Sequence, residues 1–299
     1  MKYVLITLAL FFLLFQCRRL NEPFLLNPAD TSDHSLHQGT ISHDTADVRV
    51  EVQPGVWLTV RWESNDSIIT FDDVLSGEVT LKNDSADTPL HLHIVSWPPE
   101  AKLTVTDEND SLLYYYPVLT GRAILDKYLF PGDSVTDNIV WNQAEEVRPG
   151  SQYIKVYSGV YHLYATIRGY PDSTNKRIHR RVTILPVGNR FNTRLFYIKK
   201  DSDSTAYRFV IRNRIPEAVD LVPVQPNPLE LQYRKESSDS IFFVQYFLLN
   251  ETSIHLSPHS EWNFSFKLPS PGHRLYDFTM IKMILHTQQG DFSSEYFWI

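Results

Sequence analysis

Apolar and polar residues alternate with a period of two along most of the chain from residue 48 onward. Typical runs are VWLTVRW (56–62), GEVTLKN (77–83) and AKLTVTD (101–107). Valine, threonine and aromatic side chains fill these runs, and such side chains suit a pleated sheet that is buried on one face. Turn residues such as Pro54 and Gly55 separate the runs. The pattern therefore predicts an all-β protein built from short strands.

The order of these runs repeats in the second half of the chain. In each half an asparagine ends a strand before a short loop, a strand-turn-strand unit follows, then a segment that begins Leu-x-Pro, and finally a long apolar strand. The matching pairs are 80–92 with 210–221, 103–116 with 229–244, 129–141 with 256–268, and 149–167 with 270–285. The first copy carries extra residues before its last strand. About seven short strands in each copy favour the immunoglobulin-like sandwich. We therefore predict two tandem immunoglobulin-like antiparallel β-sandwich domains, residues 48–188 and 189–299.

The Leu-x-Pro segments indicate how one strand begins in each copy. Pro131 and Pro258 lack a backbone donor and suit the entry to a strand. Gly132 can adopt the positive φ of a tight turn, and Asp133 can cap that turn. Asp137 interrupts the alternation in the first copy, which predicts a bulge or a strand end there. The apolar residues predicted to face the core are Val135, Ile139 and Trp141 in the first copy and Trp262, Phe264, Phe266 and Leu268 in the second.

Four successive blocks of the first copy resemble the BsuPI-type intracellular proteinase inhibitor domain. They are GEVTLKNDSADTPLHL, LTVTDENDSLLYYYP, LFPGDSVTDNIVWN and GVYHLYATI. The resemblance covers residues 56–186 well and residues 190–299 loosely, where His259 and Ser260 replace the Gly-Asp step. It implies an immunoglobulin-like sandwich. The matching residues belong to turns and the core, and none corresponds to a reactive inhibitory segment, so inhibition is only a weak implication of the resemblance.

The N-terminus predicts export. Lys2 precedes an apolar run from residue 3 to residue 15, which is typical of a secretory signal and shorter than the roughly 20 residues of a membrane-spanning helix. The single cysteine, Cys17, follows, with Leu14 three positions before it. This pattern resembles a bacterial lipoprotein signal, although Gln16 stands where a small residue is usual. The alternatives are an uncleaved anchor and a plain signal peptide.

We therefore predict a lipoprotein-like signal peptide (1–17), acylation of Cys17, and a location in the bacterial cell envelope that faces the periplasm or the outside. Residues 18–47 are mostly polar and cannot bury enough apolar surface to fold, so they are interpreted as a flexible tether. With one cysteine, no disulfide can form within the chain. The fold must therefore depend on packing and hydrogen bonds.

Charge and motifs limit the chemistry. The formal net charge is -7, and the one basic run, residues 176–181, is interpreted as a solvated strand face, so no nucleic-acid partner is expected. The common catalytic and nucleotide-binding motifs are absent, and no cofactor is expected. His91 and His93 share one strand face, with His162 as a third weak candidate for a metal ligand, but a solvent-facing polar stripe is the favoured interpretation. Tyr114, Tyr115, Tyr116 and the tryptophans could form a binding platform, but alternation places Tyr115 on one face and its neighbours on the other, so core filling accounts for at least half of these aromatic residues.

These observations favour a non-catalytic, exported, lipid-anchored protein that acts as a protein-binding or spacer module, with an unknown protein partner. A proteinase inhibitor and a carbohydrate-binding envelope protein are the alternatives.

The Cys17→Ser variant is expected to lose a lipid label, because the thiol that would carry the lipid is absent. Cells that express the wild-type chain or the variant are grown with a labelled fatty acid, and the label on each purified protein is compared. A label that survives the substitution would contradict both the predicted anchor and the predicted location.

Overall fold

The structure is a computed structural model that describes residues 46–94, 101–116, 125–148, 152–167, 177–235, 240–269 and 279–298. The predicted signal peptide, Cys17 and nearly all of the predicted tether lie outside these ranges. Every regular element within them is a β-strand, which confirms the predicted all-β fold. A search of the same ranges for an apolar helix of membrane-spanning length finds none.

The first strand set forms one β-sandwich. Its strands are β1 (Ala46–Gln53), β2 (Val56–Trp62), β3 (Ile68–Ile69), β4 (Leu75–Asn83), β5 (Leu90–Ile94), β6 (Ala101–Asp107), β7 (Leu112–Tyr116), β8 (Leu125–Leu129), β9 (Ser134–Trp141), β10 (Ala144–Arg148), β11 (Gln152–Lys155), β12 (Gly159–Ile167) and β13 (Ile178–Ile184). One sheet has the order β1-β2-β4-β9 and the other the order β3-β13-β12-β6-β7. Leu58 and Ile139 from the first sheet and Leu103 and Leu163 from the second belong to one buried core. Two further pairs, β5-β8 and β10-β11, lie outside these sheets.

The second strand set repeats this arrangement. Its strands are β14 (Phe191–Lys200), β15 (Ser204–Asn213), β16 (Val219–Leu221), β17 (Leu229–Lys235), β18 (Ile241–Phe247), β19 (Ile254–Leu256), β20 (Glu261–Pro269), β21 (Thr279–Thr287), β22 (Gly290–Ser293) and β23 (Phe297–Trp298). One sheet has the order β14-β15-β20 and the other the order β18-β17-β21-β22, with β23 also paired to β21. β16 pairs with β19, as β5 pairs with β8 in the first set. A second buried core includes Phe209, Leu231 and Met283.

The same strand pairings therefore occur twice. β4 lies between β2 and β9 as β15 lies between β14 and β20, and β12 lies between β6 and β13 as β21 lies between β17 and β22. All these pairings are antiparallel, and the short parallel contact of β3 with β13 belongs to the first set alone among the described strands. The predicted boundary at residues 188 and 189 falls between β13 and β14. That each half folds independently stays a prediction.

Asn83 connects the end of β4 to two loops. Its side chain is fully buried, and its Nδ2 donates to the carbonyl oxygens of Leu129 and Thr88 at 2.8 and 2.9 Å. Its Oδ1 accepts from the backbone and the hydroxyl of Ser85. One amide group thus satisfies backbone atoms that would otherwise be buried without partners.

Asn213 has the same role at the end of β15. It is also fully buried, and its Nδ2 donates to the carbonyl oxygens of Glu217 at 2.7 Å and Ser257 at 3.0 Å. Its Oδ1 accepts from the backbone of Ile215. The sequence predicted that the two asparagines correspond, because each ends a strand. The structure shows that they also form equivalent hydrogen bonds, from Nδ2 to loop carbonyls and from a backbone amide two residues later to Oδ1.

The Leu-x-Pro turns also correspond, with one difference. Gly132 has a φ of 92°, and the Asp133 carboxylate accepts from the backbone of Phe130 at 2.9 Å, which confirms the predicted turn and cap. At the equivalent place in the second copy, His259 has a φ of 48°, although it carries a Cβ. A non-glycine residue in this region carries a conformational cost, so its side chain needs a compensating contact.

Two expectations need correction, and some strands were not predicted. Asp137 lies inside β9 without a register shift, because its carboxylate accepts from the backbone of Ala101 on the opposite sheet at 3.1 Å. Asp47 belongs to β1 rather than to the tether, and its carboxylate accepts from Arg61. The extra residues of the first copy form the β10-β11 hairpin, and residues 125–129 form β8, neither of which the sequence pattern identified.

Asn83→Ala and Asn213→Ala are each expected to lower the free energy of unfolding by about 2 kcal/mol, because each leaves buried carbonyl groups without a donor. Urea unfolding of the purified protein, followed by tryptophan fluorescence, measures the change. Asn138→Ala, at an exposed position of β9, is the matched control and should leave the value unchanged. Equal effects at all three positions would contradict the assigned role.

Candidate functional site

Two of the three candidate metal-binding histidines, His91 and His162, lie in different sheets. His91 on β5 bonds to Asp126 at 2.9 Å and stacks on Tyr128. His162 lies on β12, in a different sheet, with its Nδ1 2.9 Å from Nε2 of His179. The backbone of His93 continues β5, but its side chain lies outside the described residues. A search of the described part of the chain for three or more His, Cys, Asp or Glu side chains placed to hold a metal finds none.

The β10-β11 hairpin links the two sandwiches. Ile154 on β11 is buried in a small apolar cluster with Phe196 on β14 and Val210 on β15. The Gln152 amide donates to the carbonyl oxygen of Tyr197 at 3.1 Å. The extra residues of the first copy therefore pack on the outer face of a second-copy sheet.

Arg214 is buried at this joint, with 1% of its surface exposed. Its Nε donates to the carbonyl oxygen of Val156 at 2.8 Å, and its Nη2 donates to Oε1 of Gln143 at 2.9 Å. Its Nη1 reaches the carbonyl oxygen of Asn189, and its guanidinium lies 3.8 Å from the ring centre of Phe71. Burial lowers the pKa of Arg214 to about 10. The side chain therefore stays protonated at neutral pH and needs all these acceptors.

Arg212, which is also buried, forms a second connection to partly exposed partners. Its guanidinium donates to Glu145 at 2.6 Å and to Glu261 at 2.7 Å, one carboxylate from each strand set. Burial alone would lower the pKa of Arg212, but the two glutamates outweigh this effect and raise it. Lys155 lies nearby, and burial, together with the charge of Arg214, lowers its pKa to about 8. The joint is therefore rich in cations that are held by specific acceptors.

A serine and a histidine also meet at the joint. Oγ of Ser158 lies 2.8 Å from Nε2 of His259, and the His259 ring packs on Tyr157. A serine-histidine pair can act in nucleophilic catalysis when a third group orients the histidine. Among the described residues no carboxylate bonds to the other ring nitrogen of His259. We therefore interpret the pair as the contact that compensates the positive φ of His259.

These joint residues were missed because their partners are distant in sequence. Arg212 and Arg214 flank Asn213 at the end of a strand in which almost every residue is buried. Two arginines in so apolar a run indicate from the sequence alone that both have partners, since long charged side chains are seldom buried without them. The sequence does not identify those partners.

The edge strand β18 exposes several large apolar side chains. From Ile241 to Phe247 it reads IFFVQYF, without a charged residue or a proline. Among the described strands it pairs only with β17, so one of its edges has no strand partner there. The exposed fractions are 45% for Ile241, 53% for Phe243, 55% for Tyr246 and 75% for Leu248, just after the strand. Natural proteins usually protect such edges with charges or proline.

The equivalent edge strand of the first copy, β7, has a neighbour. β10 lies beside β7, and Tyr153 of the hairpin packs against Tyr114 of β7 at a ring separation of 6.1 Å. No described residue plays this part for β18. The two copies therefore differ in how their edges are covered.

The fold and these surfaces define a two-sandwich, all-β protein. No family model matches the chain, and no curated protein matches it, so the resemblance to the BsuPI-type domain stays a prediction. A β-glucosidase from Listeria innocua in complex with glucose aligns with 42% of this chain and 16% of its own at 14% identity and a TM-score of 0.26. The b-glucosidase EmGH1 from Erythrobacter marinus aligns with 47% of this chain and 16% of its own at 17% identity and a TM-score of 0.26.

The human OSCAR ligand-binding domain aligns with 82% of this chain and 97% of its own at 9% identity and a TM-score of 0.17. The aligned part of this chain spans only about a sixth of each β-glucosidase, 16% in both cases. Similarities with TM-scores this low carry no argument about function.

Arg214→Met is expected to lower the free energy of unfolding by about 3 kcal/mol, because it leaves several buried acceptors without their donor. Urea unfolding measures the loss. Arg190→Met replaces an exposed arginine of the same connecting region and should have no effect. A stability of Arg214→Met equal to that of the control would show that the buried network is not what holds the joint.

Proposed function

We propose that the protein is a non-catalytic binding module, anchored to a membrane by a lipid on Cys17, and that β18 binds an extended segment of a partner protein. The observation that carries this proposal is the edge of β18 opposite β17, which holds no charged residue and has no partner among the strands that the structure describes. A strand added to a sheet edge gains main-chain hydrogen bonds, and its side chains give specificity.

The backbone of β18 supports this mode of binding. In an antiparallel pair, alternate residues direct their N–H and C=O groups toward the partner strand, and the remaining residues direct them away. β18 therefore presents donors and acceptors on the side opposite β17. An extended peptide is the ligand whose own donors and acceptors match that row.

The side chains beside this row favour an apolar segment. Tyr246 lies opposite Glu230 on β17 and is 55% exposed, while Phe243 lies opposite Tyr233 and packs against its ring at 5.2 Å. Together with Leu248, these side chains border the free edge on both faces of the sheet. A segment with apolar residues at alternate positions would bury them, whereas a highly charged segment would not.

The joint between the sandwiches supports the spacer part of the proposal. Arg214 and Arg212 bind acceptors from both strand sets, so the two sandwiches hold a fixed geometry. In a lipid-anchored protein, this joint would hold β18 of the second sandwich at a defined position relative to the first sandwich. Neither inhibition of a protease nor turnover of a substrate finds a comparable supporting observation.

Tyr246→Lys is expected to weaken the binding of an extended peptide by about tenfold, because a lysine at a sheet edge opposes the addition of a strand. Peptides selected from a displayed random library against the purified full chain are the probes. Tyr128→Lys is the matched control, since Tyr128 is 54% exposed on β8 of the first copy, and it should leave binding unchanged.

N-methylation of the selected peptides provides a second measurement. Methyl groups on one set of alternate residues should abolish binding, and methyl groups on the other set should not, because only one set faces β18. Failure to select any peptide, or equal losses in Tyr246→Lys and Tyr128→Lys, would contradict the proposal. A dimer that Tyr246→Lys dissociates would identify a second copy as the occupant, and slow hydrogen exchange throughout β18 in the chain alone would indicate that its own residues cover the edge. Either result would overturn the proposed partner.

A further inference from the structure

The outer face of the β3-β13-β12-β6-β7 sheet concentrates positive charge in a chain whose formal net charge is -7. The pairing register of the strands shows which residues lie beside one another on this face. Tyr164 on β12 lies opposite Thr104 on β6 and His179 on β13, and Thr104 lies opposite Tyr115 on β7. Residues opposite one another share a face, so these side chains form one row across four strands.

The flanking rows supply the cations. On one side, His162 lies opposite Arg181. On the other side, Thr166 lies opposite Lys102, and Arg177 comes directly before β13. We call the surface formed by these rows the cationic face; its members are Lys102, Thr104, Tyr115, His162, Tyr164, Arg177, His179 and Arg181, while Thr166 is buried beneath it.

Acidic residues are kept away from the cationic face in the described part of the chain. The outward positions of β6, β7, β12 and β13 hold no aspartate or glutamate there. Asp107, Glu108 and Asp110 lie at the turn that joins β6 to β7, at one end of the face. Arg180, between His179 and Arg181, points the other way and donates to the carbonyl oxygens of Ser64 and Asp66. In the described part of the basic run, Arg180 thus supports the fold, while Arg177, His179 and Arg181 lie on the outer face.

The side chains of the cationic face are ordered by contacts among themselves. The Arg177 guanidinium lies 4.2 Å from the ring centre of Tyr164, and the His179 ring stacks on Tyr164 at 4.9 Å. The Lys102 ammonium lies 5.2 Å from the ring centre of Tyr115. Burial lowers the pKa of His179, and the neighbouring His162 and Arg177 lower it further, as expected where cations crowd together.

The spacing of the cations selects the kind of ligand. The Lys102 ammonium lies near the ring of Tyr115 on β7, and the Arg177 guanidinium lies near the ring of Tyr164 on β12. These two strands flank β6 and strands lie about 4.8 Å apart, so the two charges are held roughly 10 Å apart. Arg177 and Arg181 are four residues apart along the chain, which corresponds to roughly 13 Å. Because contacts with separate rings hold the charges of Lys102 and Arg177 this far apart, the two do not meet on one small anion. These distances fit charges repeated along an extended polymer.

We propose that the cationic face binds an acidic polysaccharide, with Lys102, Arg177 and Arg181 opposite successive carboxylates. The threonine and tyrosine hydroxyl groups between the cations suit the hydroxyl groups of sugar rings. A membrane surface would favour apolar side chains among the cations, and in these rows the one large exposed apolar residue of the described strands is Leu112, at the sheet edge. Nucleic acid, with its denser charge, needs a more concentrated set of cations.

The test measures binding of polygalacturonate to the purified full chain by titration calorimetry, with dextran as the neutral polymer. Arg177→Gln combined with Arg181→Gln should weaken binding by about tenfold, because two exposed ion pairs are lost. Lys199→Gln combined with Lys267→Gln removes the same total charge from exposed positions of the second sandwich and should leave affinity unchanged. Higher salt should weaken binding by the wild-type protein.

Three results would overturn the proposal. The first is that polygalacturonate does not bind, and the second is that both double variants weaken its binding equally. The third is that vesicles of anionic phospholipid bind in a way that depends on Arg177 and Arg181, while polygalacturonate does not bind. Lys102→Gln provides an independent variant, expected to weaken binding without altering the contact of Arg177 with Tyr164. Tyr246→Lys should leave polygalacturonate binding intact, so failure here is distinguishable from failure of the β18 proposal.

Discussion

The buried guanidinium of Arg214 is the interaction on which the arrangement of the two sandwiches depends. Arg214 follows β15 of the second strand set, but its acceptors Val156 and Gln143 belong to the first set and Asn189 to the connection, so the second set alone cannot satisfy the guanidinium. With a pKa of about 10 it cannot lose its charge at neutral pH. Separation of the sandwiches would leave either a buried charge without partners or buried carbonyls without donors, and both are costly. The joint is therefore held in one geometry.

The two copies differ most where they meet. The first copy has the β10-β11 hairpin, which places Ile154 against Phe196 and Val210 of the second. The second copy has His259 in place of Gly132, and its ring reaches Ser158 of the first. Gly132 could not make such a contact because it has no side chain. A turn of the second copy and a hairpin of the first are thus parts of the interface, while Asn83 and Asn213 have the same local role at the ends of β4 and β15.

Local features of the fold were predictable, and long-range ones were not. Alternation identified the main strands, and the residue types at Asn83, Gly132 and Asp133 were enough to predict a strand end and a capped turn. The bond from Asn83 to Leu129, 46 residues along the chain, was not predictable. Asp137 was misinterpreted because its partner, Ala101, lies on the opposite sheet. The site was harder still, since whether Tyr246 is exposed at a free edge depends on strand pairing, which alternation does not specify.

A fixed joint also affects how two binding surfaces on one body would act together. Each surface considered alone is modest: β18 offers one strand edge, and the cationic face offers a few exposed charges of small individual value. When two modules are linked, the second binding event is intramolecular, and its strength depends on whether the geometry allows both to engage at once. A flexible joint would spread the two surfaces over many relative positions. The Arg214 network restricts the two surfaces to one relative position. A partner that can contact both surfaces in that position would therefore bind more tightly than to either surface alone, and a partner that cannot would gain no affinity.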